Sequence, residues 1–441
     1  MTRLLHRSPA LPPPVAAESS GILIRTADGR TIIDAAGGAA VSCLGHGHPA
    51  VIAAIREQVG KLAFVHSGAF SNAPAEELAD CLVGHEPGGL SHAYFVSSGS
   101  EACEGAFKLA RQYFLEVGQP GRAHFIARRQ SYHGNTLGAL AAGGNAGRRA
   151  PYAPLLPESF SHVSAPNAYR RPAGTSEADF VDVLEAELEA EFQRLGPANV
   201  AGFVAETVIG ATAGAIPAPA GYLTMARRLC DRHGALLILD EVMCGMGRTG
   251  TTHAWEQDGA SPDLQTIAKG LGGGYQPIGA VLMREPIFAA IRAGSGRLWH
   301  GHTYMNHPVA CAAALAVQRT IASEGLLDRI QAMGERLSQR LNARFGNHPH
   351  VGDIRGRGLI QAIELVSDRS AKEPFDPALR LNERVKQAAF DLGLACYPSG
   401  GTVDGVRGDH VLLAPPYIVT AEEIDRIVEI LGEAVDLALA S

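Results

Sequence analysis

The sequence predicts an α/β protein built on a doubly wound, mainly parallel sheet, and three observations carry that expectation. Helical stretches alternate with short apolar runs from about residue 75 onward. Several of those runs are apolar almost without a break, as expected of strands covered on both faces. The composition, 46% hydrophobic with 51 glycines but only 6% aromatic, suits helices packed closely on a sheet. Strands alternating with helices imply parallel crossovers.

Taken in order, residues 1–20 carry the Pro12-Pro13-Pro14 run and are expected to form an irregular arm. Gly21 to Ala35 alternates apolar and polar residues around Asp28-Gly29, a hairpin signal. Pro49 to Leu62 has apolar residues at helical spacing and proline at its start. The apolar runs are His92–Val96, His124–Ala127, Val200–Ala205, Leu236–Leu239, Leu264–Ala268 and Ala280–Met283. Val309 to Val317 reads as an alanine-rich packed helix. A second α+β region follows, with a helix at Leu326–Phe345, a strand near Leu359–Leu365, a helix at Pro377–Leu392 and a closing helix from Ala421. The expected division is an arm and part of a small domain in 1–70, a large domain in 71–325, and the rest of the small domain in 326–441.

The bulk properties narrow the function. A net charge of −7 without a basic stripe disfavours nucleic acid and anionic membrane as partners. No apolar stretch approaches the ~18 residues of a membrane span. Cys43, Cys81, Cys103, Cys230, Cys244, Cys311 and Cys396 are dispersed and odd in number, which reads as reduced thiols in a cytoplasmic protein. The N-terminus lacks the apolar core of a signal peptide.

In a doubly wound sheet, ligands sit beyond the carboxyl ends of the strands. Three strand ends carry chemistry. Asp240-Glu241 closes the apolar Leu236–Leu239; alone, an acid there is as well explained by a helix cap or a loop. Lys269 closes Leu264–Ala268 and runs into Gly270-Leu271-Gly272-Gly273-Gly274; alone it is a surface lysine, whereas apolar surroundings would lower its pKa and let it form a Schiff base. Ser97-Ser98-Gly99-Ser100 opens a helix after a strand, where free N–H groups and the dipole favour an anion. Together, a phosphate cradle, a strand-end aspartate and a strand-end lysine are the parts of a pyridoxal-5′-phosphate (PLP) site.

Those residues lie in segments that resemble the class III aminotransferases of PLP fold type I. The matching segments are Gly45-His46-Gly47-His48-Pro49, Ser98-Gly99-Ser100-Glu101-Ala102, Tyr132-His133-Gly134, Asp240-Glu241-Val242, Gly247-Arg248-Thr249-Gly250, Ala268-Lys269-Gly270 and Gly301-His302-Thr303. The resemblance implies that Lys269 carries the cofactor and shuttles the substrate proton, and that Asp240 keeps the ring nitrogen protonated. It implies Tyr132 and Val242 on the two ring faces and Ser98, Gly99 and Ser100 at the phosphate. Thr303 is expected to reach the phosphate of a neighbouring subunit, which makes a homodimer, or a dimer of dimers, the working unit. His133 is either a cofactor contact or a packed histidine, and Glu206 is expected beside the cofactor on the substrate side. Arg248 is expected to be structural. The spacing of His46, His48, His300, His302 and His307 is no zinc pattern, so no metal is expected.

Departures from the family pattern point to the ω-transaminase branch. Met243 stands where many members have glutamine, and the stretch Asp240-Glu241-Val242-Met243-Cys244-Gly245 resembles that branch; separately, Thr207 stands after Glu206 where proline is usual, so a different backbone is expected there. Leu412, ahead of Pro415-Pro416, stands where members using 2-oxoglutarate carry an arginine. Arg407, in Gly405-Val406-Arg407-Gly408, is then the expected movable carboxylate switch, with a solvated loop charge as the alternative. Ala63 to Phe70 is expected at the pocket mouth, with Phe70 toward substrate. The implied reaction is ping-pong transamination from an amine or ω-amino acid to a keto acid, pyruvate foremost. An aminomutase, racemase or decarboxylase on the same fold, or a non-catalytic PLP-fold protein, are the rivals.

Overall fold

A computed structural model describes residues 3–83 and 89–440. The chain opens with β1 (Ala16–Ser20), β2 (Leu23–Thr26) and β3 (Thr31–Asp34), an antiparallel meander. The β2–β3 turn carries Gly29 at φ +90°, a conformation that glycine adopts without strain. β1 corrects the expectation of an irregular arm through residue 20. It is exposed at every position and so lacks the apolar alternation that marks a half-buried strand.

The large sheet holds β4 (Leu90–Val96), β5 (His124–Arg128), β6 (Phe160–Val163) and β7 (Val200–Glu206). After a two-stranded hairpin, β8 (Val208–Ile209) and β9 (Ile216–Pro217), it gains β10 (Leu236–Asp240), β11 (Leu264–Ile267) and β12 (Gly279–Arg284). The spatial order is β4-β12-β11-β10-β7-β5-β6, and β12 runs antiparallel to both its neighbours. β7 and β10 are buried at every position, which explains their unbroken apolar character. One apolar cluster packs the helices Glu177–Leu195 and Tyr222–His233 on one face; another packs Gly99–Glu116 on the opposite face.

The remaining strands are β13 (Val351–Arg357), β14 (Ile360–Leu365), β15 (Leu394–Ala395), β16 (Tyr397–Gly400) and β17 (Asp409–Leu413). β13-β14-β17-β16 form a sheet, and β15 joins β3 in parallel. Ile22, Cys43 and Val51 share an apolar cluster with Ile330, Leu394 and Leu431, so both ends of the chain build one core. The helix expected at Pro377–Leu392 is broken. A 3₁₀ turn, Pro377–Leu379, precedes Arg380 at φ +49°, and the helix proper is Leu381–Asp391. The Asp376 carboxylate accepts from the Ala378 N–H and favours the separate turn. Among the described residues no helix is long and apolar enough to cross a membrane.

Candidate active site

The parallel strands place their carboxyl ends side by side. Asp240, last in β10, is in register with Glu206, last in β7, and with Thr266 of β11. Two residues past Ile267 comes Lys269, held at φ +41°. A non-glycine residue in that region is strained, and such strain clusters at functional sites. The turn after β4 starts the helix Gly99–Glu116. Ser98 accepts from the Glu101 N–H (3.2 Å), and the Glu101 carboxylate accepts from the Ser97 N–H (2.7 Å), a reciprocal cap. The Gly99 and Ser100 N–H groups remain in the first turn, where no intrahelical acceptor exists.

These ends line one cavity of about 390 Å³. Ser98, Gly99 and Ser100 stand on its wall with Tyr132, His133 and Glu206; Asp240, Val242 and Lys269 complete it. Phe70, Thr303 and Arg407 are exposed and do not line it. Phe70 is 65% exposed. Arg407 is taken up by Asp404: Nε donates to Oδ2 (2.8 Å), and its N–H donates to Oδ1 (2.7 Å).

The electrostatics separate the two charged ends. Burial lowers the Lys269 amine to about 8, although Asp240 and Glu206 favour its charged form. Asp240 is buried and tightly held. Its Oδ1 accepts from the Val242 N–H (3.0 Å), and its Oδ2 lies 2.7 Å from His133 Nδ1. A carboxylate can only accept, so Nδ1 carries the proton. His133 is therefore a buried partner of Asp240 that also borders the cavity. Glu206, raised by burial, accepts from the Tyr132 N–H (3.0 Å) and the Gly210 N–H (2.9 Å).

The donor set fits PLP. An amine of lowered pKa and a fixed carboxylate face one space, as an aldehyde and a pyridine nitrogen require. Gly99 is needed for closeness: a Cβ there would stand 2.8 Å from Val242 Cγ1. The residues expected on a ring face and at the phosphate thus pack directly together.

Several contacts were not evident from sequence. Thr207 Oγ1 donates to Glu241 Oε1 (2.7 Å), so the residue replacing proline supports Glu241. Ala254 and Trp255 N–H and Gln265 Nε2 donate to the same carboxylate, each at 2.8 Å. Arg248 is buried, with Nη1 donating to the Leu359 and Pro415 carbonyls and the guanidinium 4.6 Å from the Tyr417 ring. Arg148, on the short helix Ala146–Arg149, lies with its guanidinium 4.9 Å from the Tyr132 ring centroid. The tip of the Arg407 loop packs on that helix, since a Cβ on Gly405 would be 2.9 Å from Ala146 N. Met243 and Leu412 share one buried apolar cluster with Ala211, and Met243 and Ala211 line the cavity. No sequence spacing signals these pairings, because each joins separate turns.

Known proteins resemble the chain over nearly its whole length. A family model described as aminotransferase class-III matches residues 7–435. An uncharacterized aminotransferase of Schizosaccharomyces pombe is 47% identical over 440 residues, 99% of this chain and 96% of that protein. A diaminobutyrate–2-oxoglutarate transaminase of Halomonas elongata is 35% identical, covering 94% of this chain and 88% of its own. The omega transaminase of Pseudomonas jessenii, solved in complex with PMP, superposes with a TM-score of 0.93 at 34% identity, over 99% of this chain and 96% of that one. An (S)-enantioselective omega-transaminase of Thermomicrobium roseum gives a TM-score of 0.92 at 34% identity, over 98% and 94% of the two chains.

Proposed function

The chain belongs to the class-III aminotransferases, and from that premise we propose that it moves an amino group from an amine or ω-amino acid to a keto acid, pyruvate in preference to 2-oxoglutarate, by a ping-pong sequence. The observation that carries this reading is the pairing of Lys269, its amine lowered to about 8, with the carboxylate of Asp240 across one cavity. When bound, PLP supplies an electrophilic aldehyde and an electron-withdrawing ring that holds the amino group between the two half-reactions.

The chain's own residues do the rest. Burial brings the Lys269 amine close enough to neutrality that a fraction is unprotonated and nucleophilic at neutral pH, and the same amine then moves the proton at the substrate carbon. Asp240 holds the proton on the ring nitrogen, and His133 holds Asp240. Tyr132 and Val242 would confine the ring, one on each face, and keep its plane fixed in the cavity. The Gly99 and Ser100 N–H groups and the Ser98 turn bind the phosphate, joined by Thr303 of the partner subunit. The exposure of Thr303 and Phe70 is consistent with surfaces that a second subunit covers, so each site stands at a homodimer interface. Glu206 borders the substrate side.

The apolar wall of Met243 and Ala211, backed by the buried Leu412, supports the preference for a small keto acid, since it offers a second carboxylate no donor. The Halomonas elongata relative is named for 2-oxoglutarate, so acceptor choice is the sharpest test. Arg148 on the Tyr132 ring and Arg407 on the adjoining loop are two cations beside the cavity wall that could serve the remaining carboxylate. No disulfide joins the seven cysteines, in keeping with a reducing, cytoplasmic setting.

The test is direct. Protein supplied with PLP should gain a near-visible band, and borohydride should then fix the cofactor to Lys269, as mass spectrometry of a digest would read. An amine donor should bleach the band and pyruvate restore it, with 2-oxoglutarate slower. Labelling at another lysine, or faster turnover with 2-oxoglutarate, would refute the corresponding part.

A further inference from the structure

Cys103 is a buried group that the mechanism above leaves without a part. It lies in the second turn of the helix Gly99–Glu116, 2% exposed, and it does not line the cavity. Its Sγ is 3.5 Å from Asp240 Oδ2 and 3.7 Å from Thr266 Oγ1. The sulfur meets Asp240 on the same oxygen that His133 Nδ1 meets at 2.7 Å.

The proton inventory fixes the direction of the bond. An ionised carboxylate has only acceptors, about two lone pairs on each oxygen. Burial, then Asp240 itself, pushes the Cys103 thiol well above its usual 9.0, so the group stays S–H and is a donor. Oδ2 therefore accepts twice, from imidazole and thiol. Oδ1 accepts once, from the Val242 N–H, and keeps a lone pair.

We propose that Cys103 is a positioning residue for Asp240: its S–H saturates Oδ2, so that one lone pair of Oδ1 is the single acceptor left for the cofactor's ring nitrogen, and the carboxylate is held in one orientation. The inference rests on the reading that Asp240 meets that nitrogen. Donors to a carboxylate stabilise its charged form and weaken its hold on a proton. The third donor thus sets how strongly the ring nitrogen is kept protonated, without any contact with substrate.

The experiment is a pH titration of the near-visible band of the PLP-loaded protein, without substrate, for the unsubstituted chain and for Cys103→Val, Cys103→Ala and Cys103→Ser. Valine removes the donor and fills the space with a slightly larger apolar group, alanine removes both donor and volume, and serine restores a donor. The expected result is a midpoint displaced in the same direction by valine and alanine, by about half a pH unit or threefold in proton affinity, with serine between them and the parent. The Km for amine and keto acid should stay within about twofold, because no substrate contact is lost. An unmoved midpoint in a folded Cys103→Val protein overturns the inference alone, and alanine carries the same comparison if valine does not fold. Zinc retained at one equivalent through chelation would also overturn it, since Cys103, His133 and Asp240 present ligand atoms within 4.8 Å of one another. No band in the unsubstituted protein refutes the cofactor reading and this inference with it.

Discussion

At Lys269 two effects compete, and burial wins. Asp240 and Glu206 draw the amine toward its charged form, yet its pKa falls from the ordinary 10.5 to about 8. The consequence for stability follows from proton counting. Between about pH 8 and 10.5 the unfolded chain holds a proton on this lysine that the folded chain has released, so stability rises with pH across that window. Below it, a buried charge burdens the folded form. The cofactor-free Lys269→Met protein should therefore be the more stable of the two at pH 7, and its margin should shrink as pH climbs from 8 to 10.5. Urea midpoints at several pH values check this; a constant margin counts against it. The types of Lys269 and Asp240 and their places at strand ends are legible in the sequence, because a charged residue after an apolar run needs an explanation. The partners of Asp240 are not legible: His133 and Cys103 reach it from two other segments, and only the packing of helix on sheet brings them to one oxygen.

At the scale of elements, the turn after β4 depends on a missing side chain. A methyl at position 99 would meet Val242 Cγ1 at 2.8 Å, inside any real contact. Gly99→Ala should push apart the two groups that confine the cofactor and weaken its binding about tenfold, in line with an overpacking cost of ~1–3 kcal/mol; fluorescence titration with PLP would measure it. A second prediction concerns the Ala146–Arg149 helix and the loop that rests on it. Arg407 is tied to Asp404 by side chain and backbone, whereas Arg148 is stacked on a wall residue of the cavity. Arg148→Gln should raise the Km for pyruvate about tenfold or more while sparing an amine that has no carboxylate, and Arg407→Gln should have the smaller effect. The reverse order would return the role to the loop. Elements also show where sequence reading stops. β1 is polar and exposed, so nothing in its pattern marks it as a strand. The break at Arg380 involves neither glycine nor proline, so the helix was expected to run through it.

Across the whole molecule, several large aromatic side chains stand exposed. Phe64 is 42%, Phe70 65% and Tyr304 60% exposed, and Phe64 meets Tyr304 edge-on at 5.7 Å. Exposed aromatic patches of this kind mark interfaces. Tyr304→Asp should shift the protein from dimer toward monomer in sedimentation and loosen its hold on PLP, because Thr303 moves with it. A dimer undisturbed by that charge would place the interface elsewhere. The helix Pro308–Ser323 ties the two cores together: Cys311 and Ala314 belong to the large-sheet core, while Ala313 and Val317 belong to the core built from both chain ends. A single rod gripped on two adjoining faces cannot let go of one half without exposing the other. Melting should accordingly appear in calorimetry as one endotherm rather than two, and a polar residue in place of Ala313 should split it.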